Sequence, residues 1–377
     1  MVGKNQSYVR EINRKTIIMS LVEENCSATL LAKKHSLSNA ALSSILSDLV
    51  QDGYIKKIEE TERKSTCGRP PVYYTFNNEC GCLMAILLSN YYVSVVISDM
   101  RMNVLDNVTM RATKYDLSMV CDLLLKAKDL LANKKYENMP LVSINLAVPG
   151  RVNNITGELQ LSPQFDESIF GESGGIVGLF KKQFGVPVTI SNDIYLSGIG
   201  EMSSGLLKNV QNGLLIHVDE GIGGALILNG KMYGGEHGFS GEVGLMRTDF
   251  NGKTDAIDEF VSMRVLKQRY SSLYGKKMHT ADIIKLYKAD EKVRSYINET
   301  AHCLGKKIKD IVELLDISVI VLSGRAKEFG EEYLKILNEE VGSSINGAKV
   351  AYSNLGESAT VYGTLFKAVK DFTDNIV

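Results

Sequence analysis

No stretch of this sequence approaches the ~20 consecutive apolar residues of a membrane span, and its longest runs, such as Leu83–Leu88, are strand-sized. The first fourteen residues are polar and charged, so they are not expected to be a signal peptide. Net charge is nearly absent, at −1 over 377 residues, so the chain is not basic throughout. That balance still allows a small basic module on an acidic body. Cysteines are few and scattered: Cys26, Cys67, Cys80, Cys82, Cys121 and Cys303. Only Cys80 and Cys82 are close, which makes neither a disulfide framework nor a zinc-type double pair. They are expected to be free thiols in a reducing cytoplasm. What is present is ordinary: 44% hydrophobic and 23% charged residues suit a folded chain rather than a disordered one. At roughly 100–200 residues per domain, the length suggests two or three domains.

Residues 1–75 have the pattern of a small helical unit followed by a hairpin. Ile17, Ile18, Leu21 and Val22 make one helical face. Ser27 or Thr29 can cap a short second helix through Leu30 and Leu31, and Ser38 can cap a third. The third helix carries Leu42, Ile45, Leu46 and Leu49 at helical spacing and ends near Asp52-Gly53. On or near its other face lie Asn39, Ala40, Ser43, Ser44 and Ser47, small and nearly uncharged. A helix that enters a DNA major groove needs such residues, with Ser38, Asn39, Ala40, Ser43 and Ser44 facing the groove. Lys33 and Lys34 lie just upstream, where the preceding helix crosses the DNA backbone. Two short strands then flank a charged tip, and Gly68-Arg69-Pro70-Pro71 holds Arg69 on extended backbone. This segment has eleven Lys and Arg against eight Asp and Glu, or +3, leaving −4 for the remainder. Helical protein–protein modules share the same pattern.

From residue 76 onward, predicted strands alternate with helical stretches, which implies an α/β sheet architecture. Strands are expected at 83–88, 93–97, 141–147, 188–190, 214–218, 225–228 and 319–322. Helices are expected at 117–131, 176–184, 194–203, 256–270, 281–287, 291–315, 327–337 and 357–372. Gly-rich turns at Pro149-Gly150, Gly221–Gly224 and Ser323-Gly324 follow strands, where α/β proteins bind ligands. Asn192-Asp193 stands just past a strand and opens a helix. A carboxylate there can accept from sugar hydroxyls or act as a general base, although N-capping accounts for either residue alone. The run from Asn229 to Gly244 sets many glycines around Glu236, His237 and Glu242. It suggests close backbone approach to a ligand, or a flexible hairpin loop.

These segments together resemble the ROK family of repressors, open reading frames and kinases, over nearly the whole chain. Residues 1–75 look like the family's winged helix, including the exit at Gly68–Pro71. Ala147-Val148-Pro149-Gly150 is similar to its sugar-lobe turn, with Thr156-Gly157 and Ser162-Pro163 following. Asn192-Asp193 is similar to its sugar-binding pair, Gly221-Ile222-Gly223 to its second phosphate loop, and Gly238–Gly244 to its sugar loop. The resemblance implies an N-terminal winged helix-turn-helix followed by a two-lobed, ribonuclease H-like α/β body of the actin and hexokinase type. The first lobe would span 76–192, joined by the C-terminal helix 357–377. The second, 193–356, would carry the sugar loop and dimerisation helices.

The departures from the family pattern concern catalysis. Kinases of the family open the body with an Asp-x-Gly-Gly-Thr loop that holds Mg-ATP. Counted back from Asp99-Met100, that loop falls on Leu87-Leu88-Ser89-Asn90-Tyr91. Before Gly221-Ile222-Gly223, the usual Gly-Thr is Asp219-Glu220, which would repel a triphosphate. The family's zinc ligands fall on Leu245, Asp249, Asn251 and Ala256, so neither structural zinc nor any other cofactor is expected. The acidic sugar ligand falls on Asp258, one methylene shorter than the family's Glu. The implied protein is a cytoplasmic, non-enzymatic transcriptional regulator of carbohydrate genes, a dimer or tetramer that binds operator DNA and a sugar effector. Lys33, Lys34 and Arg69 would contact phosphates or the minor groove. Asn192, Asp193 and Glu242 would bind hydroxyls, as would His237 and Asp258. The alternatives are an ATP-dependent sugar kinase with an added DNA-binding domain, and a regulator whose body docks a protein partner.

Overall fold

Ile17, Ile18 and Leu21 share one helical face with Val22, and that face must be covered. The computed structural model shows how, and describes residues 2–58, 72–89, 92–112, 115–133, 136–153, 156–161, 169 and 175–375. The chain divides into two units: Met1–Leu146 with Gln164–Thr189 and Leu365–Val377, and Ala147–Pro163 with Ile190–Thr364.

The first unit begins with α1 (Val2–Glu23), β1 (Cys26–Ser27), α2 (Ala28–Lys34), α3 (Asn39–Gln51), β2 (Ile55–Ile58) and β3 (Tyr73–Phe76). The core of this module comes from α1, Leu31 of α2, and Leu42, Ile45, Leu46 and Leu49 of α3. Of the two candidates for capping α2, Ser27 does so, its hydroxyl accepting from the Leu30 N–H at 3.2 Å. Ser38 caps α3 through the Ala41 N–H at 3.2 Å. The three strands pair antiparallel in the order β1-β3-β2.

The chain continues through β4 (Cys82–Leu88), β5 (Tyr92–Asp99), β6 (Val104–Arg111), α4 (Leu117–Leu131), β7 (Leu141–Val148), β8 (Arg151–Val152), β9 (Leu159–Leu161), α5 (Ile176–Phe184) and β10 (Val188–Asn192). Five of these strands form a sheet in the order β10-β7-β4-β5-β6. The edge strand β6 escapes the sequence pattern because it is polar and alternately exposed. At the β5–β6 turn, Arg101 donates to the Leu21 carbonyl at 2.8 Å and to Asn25 Oδ1 at 2.6 Å, fixing the end of α1 to this sheet.

The second unit holds α6 (Asp193–Ser204), β11 (Gly213–Val218), β12 (Ile222–Leu228), β13 (Lys231–Tyr233), β14 (Arg247–Phe250), β15 (Lys253–Ala256), α7 (Asp258–Val261), α8 (Met263–Tyr274), α9 (Thr280–Ala289), α10 (Glu291–Leu315), β16 (Val319–Ser323), α11 (Glu331–Gly342) and β17 (Lys349–Tyr352). The last helix, α12 (Ser358–Asn375), starts in this unit and ends in the first. The second sheet has the order β13-β12-β11-β16-β17. Both large sheets therefore place their strands, in chain order, as third, second, first, fourth and fifth. One strand order is thus used twice in the chain.

Two expected helices are broken. The segment 256–270 gives Ala256 to β15 and splits at Ser262, whose backbone is extended. The break frees the Met263 N–H to donate to the Asp219 carbonyl at 2.8 Å, so a tertiary bond wins over helix propagation. The segment 327–337 splits at Gly330, whose φ of 80° only glycine adopts readily.

Leu46 is 2% exposed at the centre of the N-terminal module. Leu46→Ala is expected to cost about 2–5 kcal/mol in urea denaturation of the whole protein.

Candidate functional site

The junction of β10 and α6 is built by one side chain. Asn192 accepts from the Tyr195 N–H at 2.8 Å, capping α6, and donates to the Gly150 carbonyl at 2.8 Å. The Pro149-Gly150 turn is thereby held against the start of α6. Asp193 follows, its carboxylate accepting from the Ile194 N–H at 2.9 Å. Burial pushes the Asp193 carboxyl up to about 7, with the negative charge of Asp219 adding to the rise and backbone N–H groups opposing it. Asp219, just past β11, is pushed up to about 6 by burial first and Glu220 second, against the pull of Arg325 and Lys267.

Arg151, next to Gly150, faces Glu242 at 3.9 Å. Burial raises the Glu242 carboxyl and Arg151 opposes the rise. These contacts gather Asn192, Asp193, Arg151 and Glu242 in one place. Arg151 was missed in the sequence, where its only signal is its position directly after Pro149-Gly150. His237 and its neighbour Glu236 are exposed on the loop, and no bond ties them to this group.

Two glycines of this loop, Gly241 and Gly244, are accounted for by close approach within the chain. The Gly224 N–H donates to the Gly241 carbonyl at 2.8 Å. A side chain at Gly241 would strike the Gly224 carbonyl, and one at Gly244 would strike that of Ile222. The loop is pressed backbone to backbone on β12, and Glu242 projects from it.

Asp258 is engaged elsewhere. One carboxylate oxygen accepts from the Ile222 N–H at 2.7 Å and the other from Arg264 at 2.6 Å. An internal carboxylate thus takes a backbone donor of the Gly221-Ile222 loop, the kind of group that cradles phosphate. Beside it, Lys267 pairs with Glu220. At the described ends of the β4–β5 connection, the Ser89 N–H donates to the Tyr92 carbonyl at 2.9 Å and the Tyr115 hydroxyl donates to the Ser89 carbonyl. The residues at these positions do not fit a metal–triphosphate. Asp193 could accept a proton from a hydroxyl.

Of the four positions where the family's zinc ligands fall, only Asp249 carries a side chain that commonly ligates zinc. Asp249 and Asn251 belong to the β14–β15 hairpin, Ala256 ends it, and Leu245 is 56% exposed. Asn251-Gly252 turns the hairpin with φ of 50° and 76°, the conformation of a tight two-residue hairpin loop. Phe250 packs on Phe260 and Tyr296, with ring centres 5.4 and 5.8 Å away. Among the described residues, no group of three or more His, Cys, Asp or Glu is placed to hold a metal ion. No helix among them is long and apolar enough to cross a membrane.

In the N-terminal module, Asn39, Ala40 and Ser43 are exposed on α3 opposite its buried stripe. The Ser38 hydroxyl is used as the cap. Ser44 accepts from Arg10 of α1 at 3.1 Å, and Arg10 also pairs with Asp48, an arrangement the sequence did not reveal. Lys33 is exposed, and Lys34 lies 3.5 Å from Glu24. Arg69 and its Gly-Arg-Pro-Pro segment lie outside the described residues, as do Cys67, Asn90-Tyr91 and Ser162-Pro163. The other cysteines are free: Cys26, Cys82 and Cys303 are buried, Cys80 half-buried and Cys121 exposed.

The sequence profile of the ROK family matches residues 88–368. This chain belongs to the ROK family. A xylose repressor from Caldicellulosiruptor bescii is 24% identical over 400 residues, covering 97% of this chain and 98% of its own. The crystal structure of a ROK family transcriptional regulator, described as a homolog of the E. coli MLC protein, matches with a TM-score of 0.80 at 19% identity, covering 97% of each chain. A ROK hexokinase from Thermus thermophilus matches with a TM-score of 0.63 at 20% identity, over 77% of this chain and 99% of its own. The ROK fold therefore extends over the body, and the family profile begins after the N-terminal module.

Asp193 and Asp219 hold protons in the folded state that they release unfolded, so both weaken the fold as pH rises from about 4 towards 7. Asp193→Asn is expected to raise the melting temperature at pH 8 and leave it unchanged at pH 4, as read by thermal denaturation.

Proposed function

We propose that this protein is a cytoplasmic repressor of carbohydrate genes that binds operator DNA and is released by a sugar or sugar derivative. The observation that carries the reading is the N-terminal module. Its α3 has one face fully buried and offers Asn39, Ala40 and Ser43 on the other, without the charges of an ordinary solvated helix. Residues 1–75 form the DNA-binding domain, 76–192 with 357–377 the first lobe, and 193–356 the second. Ser38 and Ser44 flank the reading face, and Lys33, Lys34 and Arg69 supply contacts to phosphate or the minor groove. The protein works as a dimer or tetramer, so its two reading helices meet half-sites about 34–36 Å apart, or a multiple of that.

Asn192, Asp193 and Glu242 bind the hydroxyls of the effector, and Arg151 stands beside them. His237 is a peripheral contact of this site. Asp258 acts on it indirectly, through the Ile222 and Arg264 bonds that shape the neighbouring loop. The full-length likeness to a protein named xylose repressor supports this reading. The engagement of the Ile222 N–H by Asp258 and of Glu220 by Lys267 supports a body without kinase activity.

The deciding experiment captures genomic fragments on the purified protein and titrates the complex with xylose and a panel of other sugars and sugar phosphates. Release by one sugar supports the proposal. Failure to capture any fragment overturns its DNA-binding part, and sugar-dependent consumption of ATP overturns its non-enzymatic part. On a captured fragment, Lys33→Ala is expected to weaken binding and reduce the slope of log affinity against log salt by about 1. Asp193→Ala is expected to abolish release by the sugar while leaving sugar-free DNA affinity within about twofold, because α6 keeps its Asn192 cap.

A further inference from the structure

The polar groups gathered at the β10–α6 junction all belong to the second unit, and they are not equally free. Asn192 is largely spent. Its Oδ1 caps α6, and its Nδ2 donates to the Gly150 carbonyl at 2.8 Å and faces Asp193 Oδ1 at 3.3 Å. Asp193 takes the Ile194 N–H on that same Oδ1, which leaves Oδ2 to accept from a ligand hydroxyl. The Glu242 carboxylate and the Arg151 guanidinium form no hydrogen bond with any described residue. Their nearest approach, Arg151 Nε to Glu242 Oε1, is 3.9 Å, which is beyond hydrogen-bond reach. A ligand therefore meets two carboxyl groups as acceptors and one guanidinium as donor.

We infer that the effector is an acidic sugar, a polyhydroxylated molecule whose carboxylate or phosphate is bound by Arg151. Arg151 takes this role only if the cluster is the effector site of the proposed function. Sugar hydroxyls suit the carboxyls of Asp193 and Glu242. The guanidinium is a permanent cation with five N–H groups in a planar fork, which matches a carboxylate or phosphate through two parallel bonds. A neutral sugar laid over it would remove its charge from water and return only hydroxyl acceptors, whereas an acidic group returns a counter-charge. The Arg151 side chain is 35% exposed, so a ligand can reach it. Its base is fixed: Arg151 pairs with Leu161 across the β8–β9 hairpin, and Gly150 before it is held by Asn192. The neighbouring acids do not oppose an anion at full strength. Burial raises the carboxyls of Asp193 and Glu242, so each can take up a proton as an acidic ligand arrives. A cationic amino sugar would instead bring like charge to Arg151.

Isothermal titration of the full-length protein without DNA tests this choice. The probes are D-glucose, D-galactose and D-xylose, each compared with its uronic or aldonic acid and with its terminal phosphate ester. At least one acidic probe is expected to bind about tenfold or more tighter than its neutral parent, the worth of a charge-assisted pair. The acid and ester arms identify which oxyanion Arg151 holds. Arg151→Met is expected to bring acidic and neutral forms within about twofold of each other. Should Arg151→Met fail to fold, Arg151→Gln carries the test. A merely structural role for Arg151 would weaken both kinds of ligand alike and leave their ratio unchanged, which overturns the inference. So does a neutral parent that binds the native protein as tightly as its acidic forms, and in that case the effector site itself stands. If no probe of either kind binds, the effector site falls as well.

Discussion

The side chain of Asn192 is the fixed point of the second unit. Its carbonyl oxygen caps α6 and its amide holds the Gly150 carbonyl, so one residue ties a helix start to a strand-end turn. A cap of this kind is worth about 1 kcal/mol in helix stability alone. Its larger effect is positional. Because Asn192 ends β10, Asp193 must open α6, and Arg151 must emerge beside Gly150 towards Glu242. The same helix then presents its small residues Ser197 and Gly200 to α12. The grouping of these side chains is a consequence of one anchored junction.

The charges around that junction are answered from within the chain. Ile222 donates to Asp258, Arg264 closes the other side of the same carboxylate, and Lys267 meets Glu220. A loop that in a kinase stays open for an incoming phosphate is here already satisfied. Displacing these partners would leave buried or half-buried charges unpaired, which costs more than an exposed pair would. The fold is shared with a ROK hexokinase, while the Ile222 N–H and the Asp258 and Glu220 carboxylates here already have partners within the chain.

Much of this was legible in the sequence. Leu42, Ile45, Leu46 and Leu49 announced α3, and the serines at 27 and 38 announced its caps and those of α2. Asn192-Asp193 was visible as a helix opening. The bonds that combine these elements were less so. Nothing local says that Asn192 reaches Gly150, that Arg151 faces Glu242, or that Arg10 comes to Ser44, because each joins residues at least 34 positions apart. The expected helix across 256–270 fails for a related reason: a hydrogen bond from Met263 to Asp219 outweighs local propensity. The glycines near Glu242 signalled close approach correctly, but the partner is the backbone of β12.

The β14–β15 hairpin holds its shape through a local turn and a distant packing partner. Its shape comes from an Asn-Gly turn and from Phe250 seated among aromatic rings. The turn is local in sequence, whereas the ring cluster needs Tyr296 of α10. A segment organised by a metal must wait for ion delivery and is vulnerable to chelators and thiol oxidants. Here the shape of that segment is accounted for by an Asn-Gly turn and by ring packing within the chain.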